Sequence, residues 1–409
     1  MALSLSALPD EFRHGWRIVL ACSIAAGTGI ALVFLNFSMF IVPLSQDLGV
    51  SRGDLGAVQA MIITAAIGAP VIGRLTDLFG VRRVYFTCTL IVAAIHLLVA
   101  QYASSIYHMA ASTAALGFLG IGSTAVVLTR PINAHFREHR GKALGLMAVG
   151  ISIVSMIAPP VLQWVLDTWS WRAGFLAIGA ASVFIGIPAV ALLLPDSGRA
   201  GSGIGAKEPA SPADRRFLRE RDFWLLTMSL IMMSLATAGT ISQLAPMIQD
   251  EGLDASTAAL ALSFFAGGQF IGRLGGGWLL DKFEPRRVSF ALTLAPALGF
   301  IILLSTSGMV PAALLAAAII GLQQGAELDI FAYFVGRRFD VARYGTIYGA
   351  LVGLGWIGNV GGLLGMGKIY DLFGTYAPGQ ALGIACLIAS ALLVLMVRLP
   401  EPAEKVAAT

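Results

Sequence analysis

The sequence predicts an all-α membrane protein with twelve transmembrane helices in two pseudo-symmetric six-helix bundles. Composition, recurring apolar runs and an internal repeat carry that expectation. Of the 409 residues, 57% are hydrophobic and 12% charged, and the mean hydropathy is +0.81. A soluble domain carries about 25% charged residues, so most of this surface faces something other than water. Runs of about 20 apolar residues recur along the chain, each long enough to cross a bilayer as a helix that satisfies its own backbone.

The runs fall at 16–43, 55–74, 84–101, 107–134, 141–165 and 172–194, then 222–248, 256–280, 287–306, 310–337, 344–367 and 379–398. Between the sixth and seventh lies PDSGRAGSGIGAKEPASPADRRFLRER, rich in Gly, Ser, Pro and charge. The expected organisation is therefore an N-terminal bundle (1–194), a linker (195–221) and a C-terminal bundle (222–409). The segment GRLTDLFGVRR, Gly73 to Arg83, aligns with GWLLDKFEPRR, Gly277 to Arg287, with Gly, Leu, Asp, Phe, Arg and Arg identical. At the same offset Asp167 falls on Asp371. Two homologous halves imply a pseudo-two-fold axis along the membrane normal, with a substrate path between them.

Orientation follows from the basic residues. With a cytoplasmic N-terminus, only Arg52, Arg172 and Lys368 of the 27 Lys and Arg face the other side, and only Arg130 and Arg273 lie within spans. This bias places both termini in the cytoplasm and the chain in the inner membrane. The first apolar run, from about Trp16, is too long for a cleavable signal. Cys22, Cys88 and Cys386 sit singly in apolar runs, without disulfide or metal spacing. No phosphate-binding loop, metal set or Ser–His–Asp grouping is visible, so no cofactor is expected and transport would be driven by gradients. A net charge of +4, concentrated at helix ends, does not imply nucleic acid. A monomer in lipid is expected. A membrane enzyme lacks a catalytic constellation here, and a transporter-like sensor lacks room for an output domain in its tails.

The duplicated loop resembles the signature of the major facilitator superfamily: a glycine, a spaced aspartate, a second glycine and a basic pair. The second glycine is Gly80 in the first copy and is replaced by Glu284 in the second. The resemblance implies the major facilitator fold. It also implies a gating role for Asp77 and Arg83, and for Asp281 and Arg287 in the second copy. HFREHRGKALGLMAVG, His135 to Gly150, is similar to the span-four-to-five signature of the monocarboxylate transporter family at Phe136, Arg140, Ala143, Gly145, Leu146 and Gly150. HGWRIVLA, His14 to Ala21, resembles the glycine–tryptophan opening of the first helix in that family and in oxalate/formate antiporters, with His14 where the family has an acid.

Arg273 lies in FFAGGQFIGRLGGGWLLDKF, within span eight. A lone arginine at mid-membrane costs roughly 2.5–3.5 kcal/mol on insertion scales. The bland account is a structural ion pair; the functional one is a carboxylate-binding cation, whose planar fork matches two carboxylate oxygens. The resemblance favours the second, because an arginine of the eighth helix binds the anion in monocarboxylate and oxalate/formate transporters. Gln269 stands where animal monocarboxylate transporters carry an aspartate, so a proton carrier must lie elsewhere. Glu327 and Asp329 of span ten are candidates; two residues apart, they point about 200° apart and cannot face one cavity. One of them could equally pair with Arg130 to tie span four to span ten; Arg130 is read first as an interhelical pair or gate. Further substrate-contact candidates are Asn36, Phe37, Thr240, Tyr333, Tyr348, Trp356 and Asn359, each more often packing than contact. Oxalate/formate antiporters add a lysine in helix eleven, which this chain lacks before Lys368. The expected function is secondary transport of a small carboxylate, lactate- or pyruvate-like or aromatic, by proton symport. Anion exchange and drug or siderophore export are the alternatives.

Overall fold

In the computed structural model the described residues are 10–195, 217–305, 308–339 and 344–399, and the side chains of Asp10 and Asp281 lie outside them. Most of the expected linker, 196–216, is likewise outside. Among the described residues, 11 helices are long and apolar enough to cross a membrane, and 12 spans result when one bent pair is counted as a span.

That bent pair is the first span. Helix Asp10–Thr28 meets Ile30–Asn36 at 47°, and Ser38–Leu48 completes the crossing. The apolar run at 16–43 reads as one uninterrupted span; the break comes from a tertiary contact. A Cβ on Gly29 would stand 2.6 Å from both the carbonyl oxygen and Oγ of Ser123 in span four. Only glycine permits that approach. The backbone N–H freed at Ile30 donates to Ser123 Oγ at 3.1 Å, as a backbone group in a bilayer must find a protein partner.

The remaining spans are Arg52–Phe79, Val81–Tyr102, Ile106–His135, Arg140–Thr168, Trp171–Leu193, Arg221–Asp250, Ala255–Lys282, Pro285–Ser305, Val310–Arg338, Tyr344–Phe373 and Ala377–Leu395. Local signals explain several ends. Ser51 and Asp54 form a capping box at the start of span two, and Asp254 Oδ1 accepts the Thr257 N–H at 2.8 Å to open span eight, satisfying amides that a helix N-terminus leaves orphaned.

Spans one to six form one bundle and seven to twelve the other, with spans eight and ten the most intimate pair. In lipid, apolar burial does not drive helices together, so close backbone packing does. Gly268, Gly272 and Gly276 form one stripe of span eight, and Gly321 and Gly325 face it from span ten. A Cβ on Gly272 would lie 1.9 Å from the Leu322 carbonyl oxygen, and one on Gly325 2.1 Å from that of Gln269. The seam leaves no room for side chains, so it fixes span eight against span ten at the level of Arg273. The end of the molecule carrying the basic clusters is called the basic side below, and the other the opposite side.

Candidate transport site

Arg273 and Asp329 each stand nine residues before a basic-side helix end, at Lys282 and Arg338, a depth of about 13 Å by helix rise. The glycine seam brings them into electrostatic reach of one another. Among the described residues they form no ion pair within contact distance. The Arg273 guanidinium instead crosses to the other bundle, where Nη1 donates to the Ala148 carbonyl of span five at 2.6 Å. A half-buried cation whose hydrogen-bond partner among the described residues is a neutral carbonyl is under-neutralised, and the pull on an incoming anion is correspondingly strong.

The two acids of span ten part company, as their spacing predicted. Asp329 is exposed and makes no hydrogen bond among the described residues; Tyr344 and Tyr348 of span eleven, stacked with centroids 5.5 Å apart, lie within its electrostatic reach. The Tyr348 hydroxyl donates to the Leu328 carbonyl at 3.4 Å. Glu327 turns into the C-terminal bundle. There Ser234 Oγ donates to Oε1 at 3.2 Å and Gln324 Nε2 to Oε2 at 3.1 Å.

Asn36 of span one and Gln269 of span eight line a common cleft between the bundles. The other proposed contacts lie apart. Phe37 is buried in a cavity enclosed by N-terminal spans, with Phe34, Met109 and Phe175. Thr240 is fully buried and donates to Ala236 of its own helix at 2.9 Å. The Tyr333 hydroxyl accepts from Arg337 Nη2 at 3.0 Å near the basic end. Trp356 is 37% exposed and walls a space against Ile62, Ala66 and Val126 of spans two and four. Asn359 is half-buried one turn further along span eleven.

Arg130 does not meet an acid of span ten. It pairs with Asp77, and its Nη2 donates to the Gly73 carbonyl at 2.9 Å. The first loop is thus clasped between spans two and four. In the second copy Glu284, replacing the glycine, accepts from Arg287 Nε at 3.0 Å. Arg83 is exposed beside Phe79 and Val84 on the outer wall of spans two and three.

Sequence reasoning missed a network at the opposite side. Arg52 grips Asp250 with both terminal nitrogens, at 2.6 and 2.9 Å, and donates to the Tyr376 hydroxyl at 2.9 Å. The Tyr376 hydroxyl in turn donates to Gln243 Oε1 at 3.0 Å. Asp371 accepts from Ser51 Oγ at 2.7 Å and from the Gly53 N–H at 3.1 Å. Each of these bonds to Arg52, Ser51 or Gly53 joins the N-terminal bundle to the C-terminal one. Between described residues of the two bundles, the hydrogen bond nearest the basic side is that of Arg273. The signal available was charge on the sparsely basic side, where Arg52, Asp250 and Asp371 all stand. Asp167, the repeat partner of Asp371, accepts among the described residues only from Gln163 of its own helix, at 2.7 Å.

Two six-helix bundles that meet across the membrane, tied at one end and holding a cation between them, define a transporter of the two-bundle class. The sequence profile of the Major Facilitator Superfamily matches residues 19–362 and 239–409, and the chain belongs to that superfamily. Monocarboxylate transporter 13 of Bos taurus is 27% identical over 396 residues, covering 95% of this chain and 90% of that protein. The gallate transporter of Pseudomonas putida is 24% identical, covering 91% of each. Among solved structures, the nucleoside transporter NupG superposes with a TM-score of 0.76 at 13% identity, over 92% of this chain and 97% of that one. A bacterial homolog of the human lysosomal transporter Spinster, inward-facing and unoccupied, gives 0.72 at 16% identity, over 94% and 97%. At these identities the two structures speak for the fold alone.

Proposed function

We propose that the protein is a proton-coupled symporter of small monocarboxylates in the inner membrane, with its basic side in the cytoplasm. The observation that carries this reading is Arg273: a guanidinium between the bundles, held to a backbone carbonyl, with no acid in contact among the described residues. A substrate carboxylate would displace the Ala148 carbonyl and engage the fork through two charge-assisted hydrogen bonds. That exchange would also release a tie between the bundles, so anion binding and bundle movement share one bond. Asp329 lies open at the same depth and would carry the proton, neutralising the loaded site before it crosses the membrane; Glu327, held by Ser234 and Gln324, would stay structural. The relatives' names, monocarboxylate and gallate transporters, agree with the substrate class. The opposite-side network would be the closed outer gate, leaving the site facing the cytoplasm.

The test is uptake into proteoliposomes. Accumulation of radiolabelled benzoate or lactate driven by an imposed inward proton gradient is expected. Uptake that requires internal anion and ignores the gradient would replace symport with exchange, and absence of any carboxylate uptake would remove the substrate class.

A further inference from the structure

A groove away from Arg273 lies on the outer wall of the N-terminal bundle, between spans two and three just inside their basic-side turn. Its origin is local. Gly80 takes φ +84°, a value glycine adopts without strain, so span two ends at Phe79 and span three starts at Val81. Inside that one-residue turn, Leu75 and Phe79 of span two face Arg83, Val84, Thr87 and Cys88 of span three. Residues four apart share a helix face, so each helix offers a continuous strip. Val84 and Cys88 are buried in a cluster with Ile72 and Val127, which backs the groove with packed core. Thr87 and Cys88 are small, and about 370 Å³ stays open beside them. A single ordered water needs only about 10–15 Å³, so the space suits a larger guest.

Polarity changes along the groove. Arg83, the third residue of span three, stands at the basic-side rim. Cys88 lies five residues deeper, about 7.5 Å by helix rise. Of the lining residues only Arg83 is charged and only Thr87 adds a hydroxyl; no carboxylate lines the groove. Arg83 is exposed and makes no hydrogen bond or ion pair among the described residues. The cations around it are committed: Arg82 Nη2 donates to the Ala191 carbonyl at 3.0 Å, and Arg130 pairs with Asp77. A free guanidinium at the rim, above an apolar floor that runs into the membrane, repeats the order of charge and hydrocarbon in a phospholipid.

We propose that this groove binds an anionic phospholipid, with its phosphate on the Arg83 guanidinium and the start of one acyl chain along Leu75, Phe79, Val84 and Cys88. The planar fork of arginine matches two phosphate oxygens, and basic side chains at the membrane surface draw anionic lipids. Charge decides the headgroup. A zwitterionic lipid would bring an ammonium to a groove whose lining holds a cation and no acid, whereas an anionic one brings no second cation. The proposal is independent of the carboxylate reading of Arg273.

The experiment incubates the purified full-length protein with phosphatidylglycerol carrying a photoreactive diazirine in its acyl chain, and maps the labelled peptides after irradiation. Label is expected within residues 75–88. Unlabelled phosphatidylglycerol should displace it at a concentration about fivefold lower than phosphatidylcholine does. Arg83→Gln should reduce the potency of phosphatidylglycerol to that of phosphatidylcholine. Arg74→Gln, which removes an exposed cation that does not line the groove, should leave it within about twofold. Thr87→Trp keeps the charge and fills the groove, so label in 75–88 should be lost while the thermal unfolding midpoint is retained. Equal potency of the two lipids overturns the proposal, as does an unchanged preference in Arg83→Gln. An equal loss in Arg74→Gln would mean diffuse surface charge and overturns it too. So does a segment 75–88 that takes no label, as a second copy of the chain covering the groove would give. The wild-type lipid preference and the labelled segment are decisive alone should the variants not fold.

Discussion

The two arginines within the spans meet opposite surroundings. Arg130 has a carboxylate partner in Asp77 and a carbonyl in Gly73, all within the N-terminal bundle. Among the described residues Arg273 reaches out of its own bundle to a single carbonyl, with Asp329 near but not in contact. The first is a finished structural contact; the second is a charge with capacity to spare. The same side chain therefore serves two ends, and the difference lies in what the neighbouring helices bring. Span two brings an aspartate to Arg130. Span ten brings a glycine seam to Arg273, which places its aspartate alongside without closing the pair.

Substitutions sharpen or break that contrast. The largest effect is expected from Arg273→Ala, which removes charge-assisted hydrogen bonds worth about 1.5–3 kcal/mol and should weaken carboxylate affinity by about 10- to 100-fold in equilibrium binding. Arg130→Ala breaks a pair whose aspartate is 69% exposed, so it should leave affinity within about threefold and lower stability by no more than ~1 kcal/mol. If Arg130→Ala abolished binding instead, the contrast would be lost.

Next in size is Asp329→Asn. It should end accumulation driven by a proton gradient while preserving anion counterflow across the same vesicles, whereas Glu327→Gln, which keeps both partners once the Gln324 amide turns its free Oε1 to accept from the new NH2, should remain gradient-driven. The reverse outcome would exchange the roles of the two acids.

The seams give a smaller, graded test. Gly325→Ala would set a methyl group 2.1 Å from the Gln269 carbonyl, and overpacking of this kind costs about 1–3 kcal/mol. The thermal unfolding midpoint of the purified protein should fall, and carboxylate affinity with it, because the seam positions Arg273. Near Arg130 the equivalent change is benign: a Cβ on Gly73 would meet Arg130 Nη2 at 3.6 Å, an ordinary contact, so Gly73→Ala should leave both readouts unchanged.

Much of this was legible in the chain. Twelve apolar runs, the duplicated loop and the cation in span eight are local or periodic signals, and the helices of the structure fall where those runs were placed. The 200° separation of Glu327 and Asp329 follows from helix pitch, and it implied that the two acids do not share one cavity. What was not legible depends on partners distant in sequence. The grip of Arg52 on Asp250 joins residues 198 positions apart, and no period or spacing announces it. Arg130 was open to an acid of span ten until span two proved to lie nearer. The break at Gly29 is dictated by Ser123, not by its own neighbours. Phe37, Thr240 and Tyr333 have site-like chemistry, but rotation of their helices directs them into packing or towards Arg337.

The central claim is that a guest carboxylate completes the charge of Arg273 through its guanidinium fork. Its most direct test is a binding titration of purified wild-type protein and Arg273→Lys with benzoate at fixed salt. Lysine keeps the charge and loses the bidentate geometry, so we expect affinity to fall by about tenfold or more, roughly 1.4 kcal/mol. Equal affinity in the two proteins would contradict the account.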